Sequence, residues 1–175
     1  MRFSVVVLVA LGLLAGQARA DPPLPQRERE FIAIIEKARK EYAVSKSASA
    51  RQSARLALQI STHQFMGLTH RADDWVGVYK VSNRADNGDR SIEIEIAPDV
   101  TLATWDNPVA DNGADTLVKP SAPMANVLDG LTIGAPVVFS ANIIGSLISS
   151  DDDMIRRPRL IASFSKLKKL SDDAR

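Results

Sequence analysis

A tight turn followed by a strictly alternating run constrains the fold of this chain more than any other feature. The turn is Asn87-Gly88, where glycine supplies the positive φ that a short β-hairpin needs. In residues 91–96 three isoleucines point to one face and two glutamates to the other. The pattern predicts a half-buried strand of an antiparallel sheet.

Helix and strand patterns flank this hairpin on both sides. Apolar residues at helical spacing predict a first helix around residues 31–42, and a weaker pattern predicts a second over residues 50–65. A short helix is predicted over residues 121–131, where Pro123 suits the first turn. β-Branched and aromatic residues predict four more strands, at residues 75–81, 100–105, 137–144 and 159–167.

This order of elements predicts an α+β fold. Five strands in one run, with a helical insert between the third and fourth, are typical of a small Greek-key barrel, the OB-fold. Because no crossover helices alternate with the strands, we expect antiparallel pairing. A two-layer α+β sheet also fits. The predicted organisation is a signal peptide (residues 1–20), a helical segment (residues 21–71), a five-stranded antiparallel OB-like barrel (residues 72–170) and a polar tail (residues 171–175).

The first residues have the three-part layout of a secretory signal peptide. Arg2 provides a positive start, residues 5–14 form an apolar run, and Ala18 and Ala20 are the small side chains that precede a cleavage site. The run is shorter than the ~20 apolar residues that span a bilayer. We therefore expect cleavage between Ala20 and Asp21, and a mature chain in a bacterial periplasm or, alternatively, fully secreted. The sequence predicts no transmembrane segment.

Charge and cysteine content exclude several classes of function. The chain has 22 basic and 21 acidic side chains, and removal of the two arginines in the leader changes the net charge from +1 to −1 (20 − 21). A near-neutral protein does not neutralise phosphate by bulk charge, which argues against nucleic acid as a partner. The absence of cysteine excludes thiol catalysis, thiolate metal sites and a lipidated cysteine after the leader.

Three stretches of the sequence resemble uncharacterised bacterial exported proteins. They are residues 74–83 (DWVGVYKVSN), residues 93–107 (EIEIAPDVTLATWDN) and residues 128–145, with a Leu-x-x-Leu-x-x-Gly pattern and Val-Val-Phe-Ser. Those proteins are similar to the OB-fold group called tRNA-anticodon-binding-like. The resemblance covers about residues 72–170 and implies an OB-fold. The name of the group hints at nucleic acid, and the resemblance carries over no catalytic residue.

Aromatic and cationic side chains near the hairpin form the candidate ligand site. OB-folds bind extended ligands by stacking them on exposed rings beside cations. Trp75 and Tyr79 share strand parity, Lys80 follows them, and Arg90 flanks the hairpin. We expect these four residues on the outer face of the first three strands. The alternative interpretation is that both rings fill the barrel core.

The two histidines of the chain are a weaker candidate. His63 and His70, with Asp73 or Asp74, could supply ligands for zinc or copper. Gly67 is expected to interrupt the helix between the histidines, and a third dependable ligand is missing. Two partly exposed histidines at a helix end are the simpler explanation of the pattern.

Carboxylates form two further groupings. The aspartates at residues 151–153 could gather calcium, but adjacent side chains in an extended loop diverge, and a solvated acidic loop explains them. Glu93 and Glu95 share one strand face, at a spacing that paired carboxylates also have in glycoside hydrolases. Such neighbours on a polar face more often pair with a cation on the next strand.

These patterns predict an exported, non-catalytic binding or interaction protein of the bacterial cell envelope. They imply no cofactor and no metal, and the partner is an envelope protein or a small ligand. One alternative is a single-stranded nucleic-acid or oligosaccharide binder acting through the barrel face. Another is a cell-wall or sugar-polymer hydrolase that uses Glu93 and Glu95. A third is a helix-mediated partner of an assembly, with the acid-free helix over residues 50–65 as the contact.

Overall fold

A helical hairpin precedes a five-stranded barrel in the computed structural model, which describes residues 23–67, 70–147 and 152–170. The helices are α1 (Gln26–Val44), α2 (Ala48–Met66), α3 (Pro108–Asp111), α4 (Pro123–Asp129) and α5 (Asp153–Arg156). The strands are β1 (Arg71–Arg84), β2 (Arg90–Ala97), β3 (Val100–Ala103), β4 (Pro136–Leu147) and β5 (Arg159–Lys169). The predicted signal peptide and polar tail lie outside the described residues.

The five strands close into a barrel in the order β1-β2-β3-β5-β4. The predicted OB-like barrel after a helical segment, with a short helix between β3 and β4, is confirmed. The expectation of antiparallel pairing throughout is wrong, because β3 and β5 run parallel over three residue pairs. The reason is geometric: an odd number of strands cannot alternate in direction all the way around a closed barrel.

The core of the barrel follows the alternation of β2. Ile92, Ile94 and Ile96 point inward and are buried, as predicted. Leu102 of β3 and Phe139 of β4 complete the same apolar cluster. Two four-residue helices, α3 and α5, lie in segments for which the sequence predicted neither a helix nor a strand.

Helices cover both ends of the barrel. At the end where β1 turns into β2, α4 packs its apolar side chains on the core, and an ion pair joins its Asp129 to Arg90 of β2. At the opposite end α1 inserts Phe31 and Ile35, and the ring centroid of Phe31 lies 5.3 Å from that of Trp75. The helical segment and the barrel therefore share one apolar core.

Arg39 fastens α1 to its end of the barrel. All five N–H donors of its guanidinium are used, and the side chain is only 17% exposed. The acceptors are the carbonyl oxygens of Pro98 (2.9 Å), Asp99 (2.9 Å), Ile155 (3.1 Å) and Arg156 (2.8 Å) and Oε1 of Glu36 (2.7 Å). One side chain thus joins α1, the turn between β2 and β3, and α5.

Replacement of Arg39 by alanine should lower the free energy of unfolding by about 2–3 kcal/mol, because carbonyl groups lose a charged donor. Arg39→Lys should recover only part of this loss, since an ammonium offers three donors instead of five. Lys40→Ala is the matched control, because Lys40 is the exposed neighbour on the same helix. Urea unfolding measures all three variants. Equal stabilities of Arg39→Ala and Lys40→Ala would contradict this role.

Candidate functional site

The aromatic part of the predicted ligand site is buried. Trp75 has no exposed surface and packs on Phe31, and Tyr79 is 3% exposed. The predicted exposed stacking platform is therefore wrong, because the barrel and the helical hairpin use both rings to fill their shared core.

The two predicted cations lie apart and are engaged in ion pairs. Lys80 Nζ lies 2.8 Å from Oε2 of Glu95 on the neighbouring strand. Arg90 is largely buried and pairs with Asp129 of α4. The structure therefore does not unite the four predicted residues in one site.

A groove of about 560 Å³ lies on the outside of the barrel where β1 and β2 separate. Its floor consists of residues 76–78 of β1, and residues 95–97 of β2 face them. Leu24, Pro136 and Leu170 form apolar walls. The result is a mainly apolar channel bounded by strand backbone, with the carboxylate of Glu95 at one rim.

The groove exists because the β1–β2 ladder stops short of this end of the barrel. The last ladder pair is Val78 with Glu95, so Val76 has no pairing partner on β2. Its N–H donates instead to Oε2 of Glu28 on α1, at 2.9 Å. Gly77 is needed beside the gap, because a Cβ there would lie 2.5 Å from Cγ2 of Ile94.

Glu28 is an unusual carboxyl group because the protein buries it completely. Burial raises its pKa from 4.5 to about 7, and the hydrogen bond from Val76 opposes part of this rise. Its Oε1 atom has no hydrogen-bond partner among the described residues. The ionisation state of the Glu28 carboxyl group on α1 therefore acts directly on a backbone N–H at the edge of the groove.

The raised pKa of Glu28 predicts a pH-dependent stability. Between the unfolded value of 4.5 and the folded value of about 7 the folded chain holds a proton that the unfolded chain has lost. The free energy of unfolding should therefore fall by about 2–3 kcal/mol as the pH rises through this window. Urea unfolding at about pH 5 and about pH 8 measures the difference.

Two variants test the assignment of this slope to Glu28. Glu28→Gln keeps an acceptor for Val76 but cannot ionise, so its stability should change less with pH than that of the wild type. Glu30→Gln is the matched control on the exposed side of α1 and should keep the wild-type slope. Parallel pH profiles for wild type and Glu28→Gln would rule out Glu28 as the source.

Ion pairs occupy the outer face of the barrel beside the groove. Glu95 faces Lys80, Glu93 Oε2 lies 3.3 Å from Nε of Arg159, and Nη2 of Arg159 lies 2.6 Å from Asp106. The hydrogen bond from Lys80 lowers the pKa of Glu95. Glycoside hydrolysis needs a general acid with a raised pKa, so this arrangement gives Glu95 the opposite property.

The histidines come together without the predicted aspartates. The ring centroids of His63 and His70 lie 6.2 Å apart. Asp73 and Asp74 instead pair with an arginine and a lysine. Across the part of the chain that the structure describes, no three His, Cys, Asp or Glu side chains form a cluster able to hold a metal ion.

The acidic loop helps to anchor the helical hairpin. Asp152 accepts a hydrogen bond from the hydroxyl of Tyr42, and Arg51 and Arg156 each lie 5.8 Å from the centroid of that ring. Asp151 lies outside the described residues. The described part of this loop therefore has a packing role that the sequence did not indicate.

No protein-family model matches the chain, and neither the curated proteins nor the solved structures contain a match. The resemblance to the tRNA-anticodon-binding-like group stays a prediction. None of the helices in residues 23–67, 70–147 and 152–170 is long and apolar enough to cross a membrane. The function must therefore be inferred from the geometry of the groove.

Proposed function

We propose that this chain is a non-catalytic binding protein that holds an extended apolar segment of a partner protein in the groove between β1 and β2. The observation that carries the proposal is the open ladder: residues 76 and 77 of β1 have no β2 partners. Strand backbone and an apolar floor lie side by side there. An extended peptide suits such a site, because its apolar side chains can lie on the floor while its backbone runs along the strand.

The chain itself lies against this groove in an extended form. Leu24, which has a proline on either side in the sequence, lines the groove. Pro25 has φ −50° and ψ 144°, close to polyproline II geometry. Arg29 donates a hydrogen bond to the Leu24 carbonyl and holds this segment in place. Leu24, in an extended segment flanked by prolines, therefore already forms one wall of the groove. This supports a peptide of similar character as the ligand.

The charges around the groove support a partner segment without strong charge. On the β2 side of the groove, Glu93, Glu95 and Asp106 are paired with Lys80 and Arg159. On its β4 side the exposed Lys168 lies opposite Val138, the ladder partner of Val76. Charges of both signs therefore border the groove, which favours a ligand without strong charge of either sign. No observation on this face favours single-stranded nucleic acid or an oligosaccharide over a peptide, since the rings predicted to stack on them are buried.

A peptide selection with two matched variants tests this proposal. We expect binders selected from a random peptide library to be extended, apolar and without strong charge, and their affinity is measured by fluorescence anisotropy. Val78→Asp should weaken them at least about tenfold, or 1.4 kcal/mol, because it puts a charge on the groove floor. Val81→Asp is the control, on the same strand at a position that is already 37% exposed.

Two results would contradict peptide binding in the groove. One is a selection that yields no sequence-specific binder to the folded protein. The other is an equal loss of affinity in Val78→Asp and Val81→Asp while both variants keep the wild-type circular dichroism spectrum, because the groove would then not be the binding surface.

We further propose that the protein works outside the cytoplasm, in the bacterial periplasm. The support is the sequence pattern before Asp21, and the mass of the protein recovered from the periplasmic fraction tests it. The expected mass is that of a chain beginning at Asp21. Ala20→Arg should block cleavage, because the peptidase accepts small residues at that position, whereas Gln17→Ala should not. Recovery of the uncleaved wild-type chain from the cytoplasm would refute export.

A further inference from the structure

A second groove, of about 210 Å³, lies between the end of α2 and strands β4 and β5. His63, Met66 and His70 line it together, and Ile143 and Leu160 supply apolar walls. The three potential metal donors belong to one short stretch of chain that leaves α2 and enters β1. This groove lies apart from the β1–β2 groove and shares no lining residue with it.

The backbone holds both imidazoles close together. His63 lies in the last turn of α2, and its carbonyl accepts the N–H of Gly67 at 3.0 Å. His70 has a φ of +47°, a left-handed conformation that is costly for a side chain other than glycine. Two backbone hydrogen bonds fix it there, to Met66 O at 3.2 Å and from Ile143 N at 2.8 Å. The resulting ring centroids are 6.2 Å apart.

The three side chains offer a donor set of two nitrogens and one sulfur. Imidazole suits zinc and copper, and a thioether selects the softer Cu(I) ion. Met66 belongs to the lining of this groove and is only 4% exposed. Neither Asp73 nor Asp74 adds an oxygen ligand, because each is held in an ion pair. A soft, singly charged ion therefore fits this groove better than a hard divalent cation.

We propose that His63, Met66 and His70 form a Cu(I)-binding site at the junction of α2 and β1. The metal joins the end of the helical hairpin to the first strand of the barrel, across from Ile143 of β4. Because the folded chain fixes these donors in one arrangement, whereas the unfolded chain holds them only loosely within eight residues, Cu(I) also stabilises the fold.

Anaerobic competition with the chromophoric chelator bicinchoninate measures the affinity of the purified protein for Cu(I). The wild type should bind one Cu(I) per chain. His63→Ala, His70→Ala and Met66→Leu should each weaken binding at least about tenfold, since loss of even an outer partner of a metal ligand typically costs 10–100-fold. Met124→Leu is the matched control, because Met124 is a buried methionine of α4 at the opposite end of the barrel.

A parallel titration with Zn(II) separates ligation from packing. Imidazole binds zinc without help from a thioether, so Met66→Leu should leave the weaker Zn(II) affinity unchanged. Equal losses of Cu(I) and Zn(II) affinity in Met66→Leu would overturn the role of its sulfur. Equal Cu(I) affinities of the wild type and the His63→Ala/His70→Ala double variant would overturn the site.

A measurement on the wild type keeps the test valid if a variant fails to fold. Ag(I), a redox-inert substitute for Cu(I), is added to the protein while NMR follows the side-chain signals. The His63 and His70 ring protons and the Met66 methyl group should shift together up to one equivalent, and the Met124 methyl group should not. A titration in which those three signals do not move would overturn the proposal.

Discussion

The hydrogen bonds of Arg39 hold together segments that have little else in common. A helix, a strand turn and a one-turn helix from distant parts of the sequence meet at its guanidinium. A planar group with five fixed donors can satisfy carbonyl oxygens that point in several directions, which an ammonium cannot do. The helical hairpin is thereby held in a defined orientation on the barrel, and apolar contacts such as that of Phe31 with Trp75 then complete the core.

The same end of the barrel contains a close approach of β1 to β2 and an opening between them. Gly77 lies so close to β2 that no side chain fits, yet one residue earlier the strands have separated and Glu28 takes over a backbone N–H. A carboxyl group with a pKa of about 7 completes the hydrogen bonding of Val76 beside the groove. The edge available to a ligand is thus adjacent to a group that changes charge near neutral pH.

The strands and long helices could be predicted from the sequence because their apolar periods are clear, as in β2. The short helices α3 and α5 span a single turn each, too little for a period to show. The alternation of side chains along β1 placed Trp75 and Tyr79 on one face of the strand. Because Val76 and Val78 make the other face apolar too, the alternation could not show which face points into the barrel core. The partners of Arg39 are backbone carbonyls, which leave no signature in a sequence. The groove arises where a ladder ends, which no residue pattern specifies.

The parallel contact between β3 and β5 makes the barrel dependent on its final strand. Only three residue pairs join these strands, and the chain between them contains α4 and the whole of β4. A growing polypeptide consequently exposes the free edge of β3 until β5 has been made. The barrel can therefore close only after β5 is present, and before that the free edge of β3 is open to pairing with another chain.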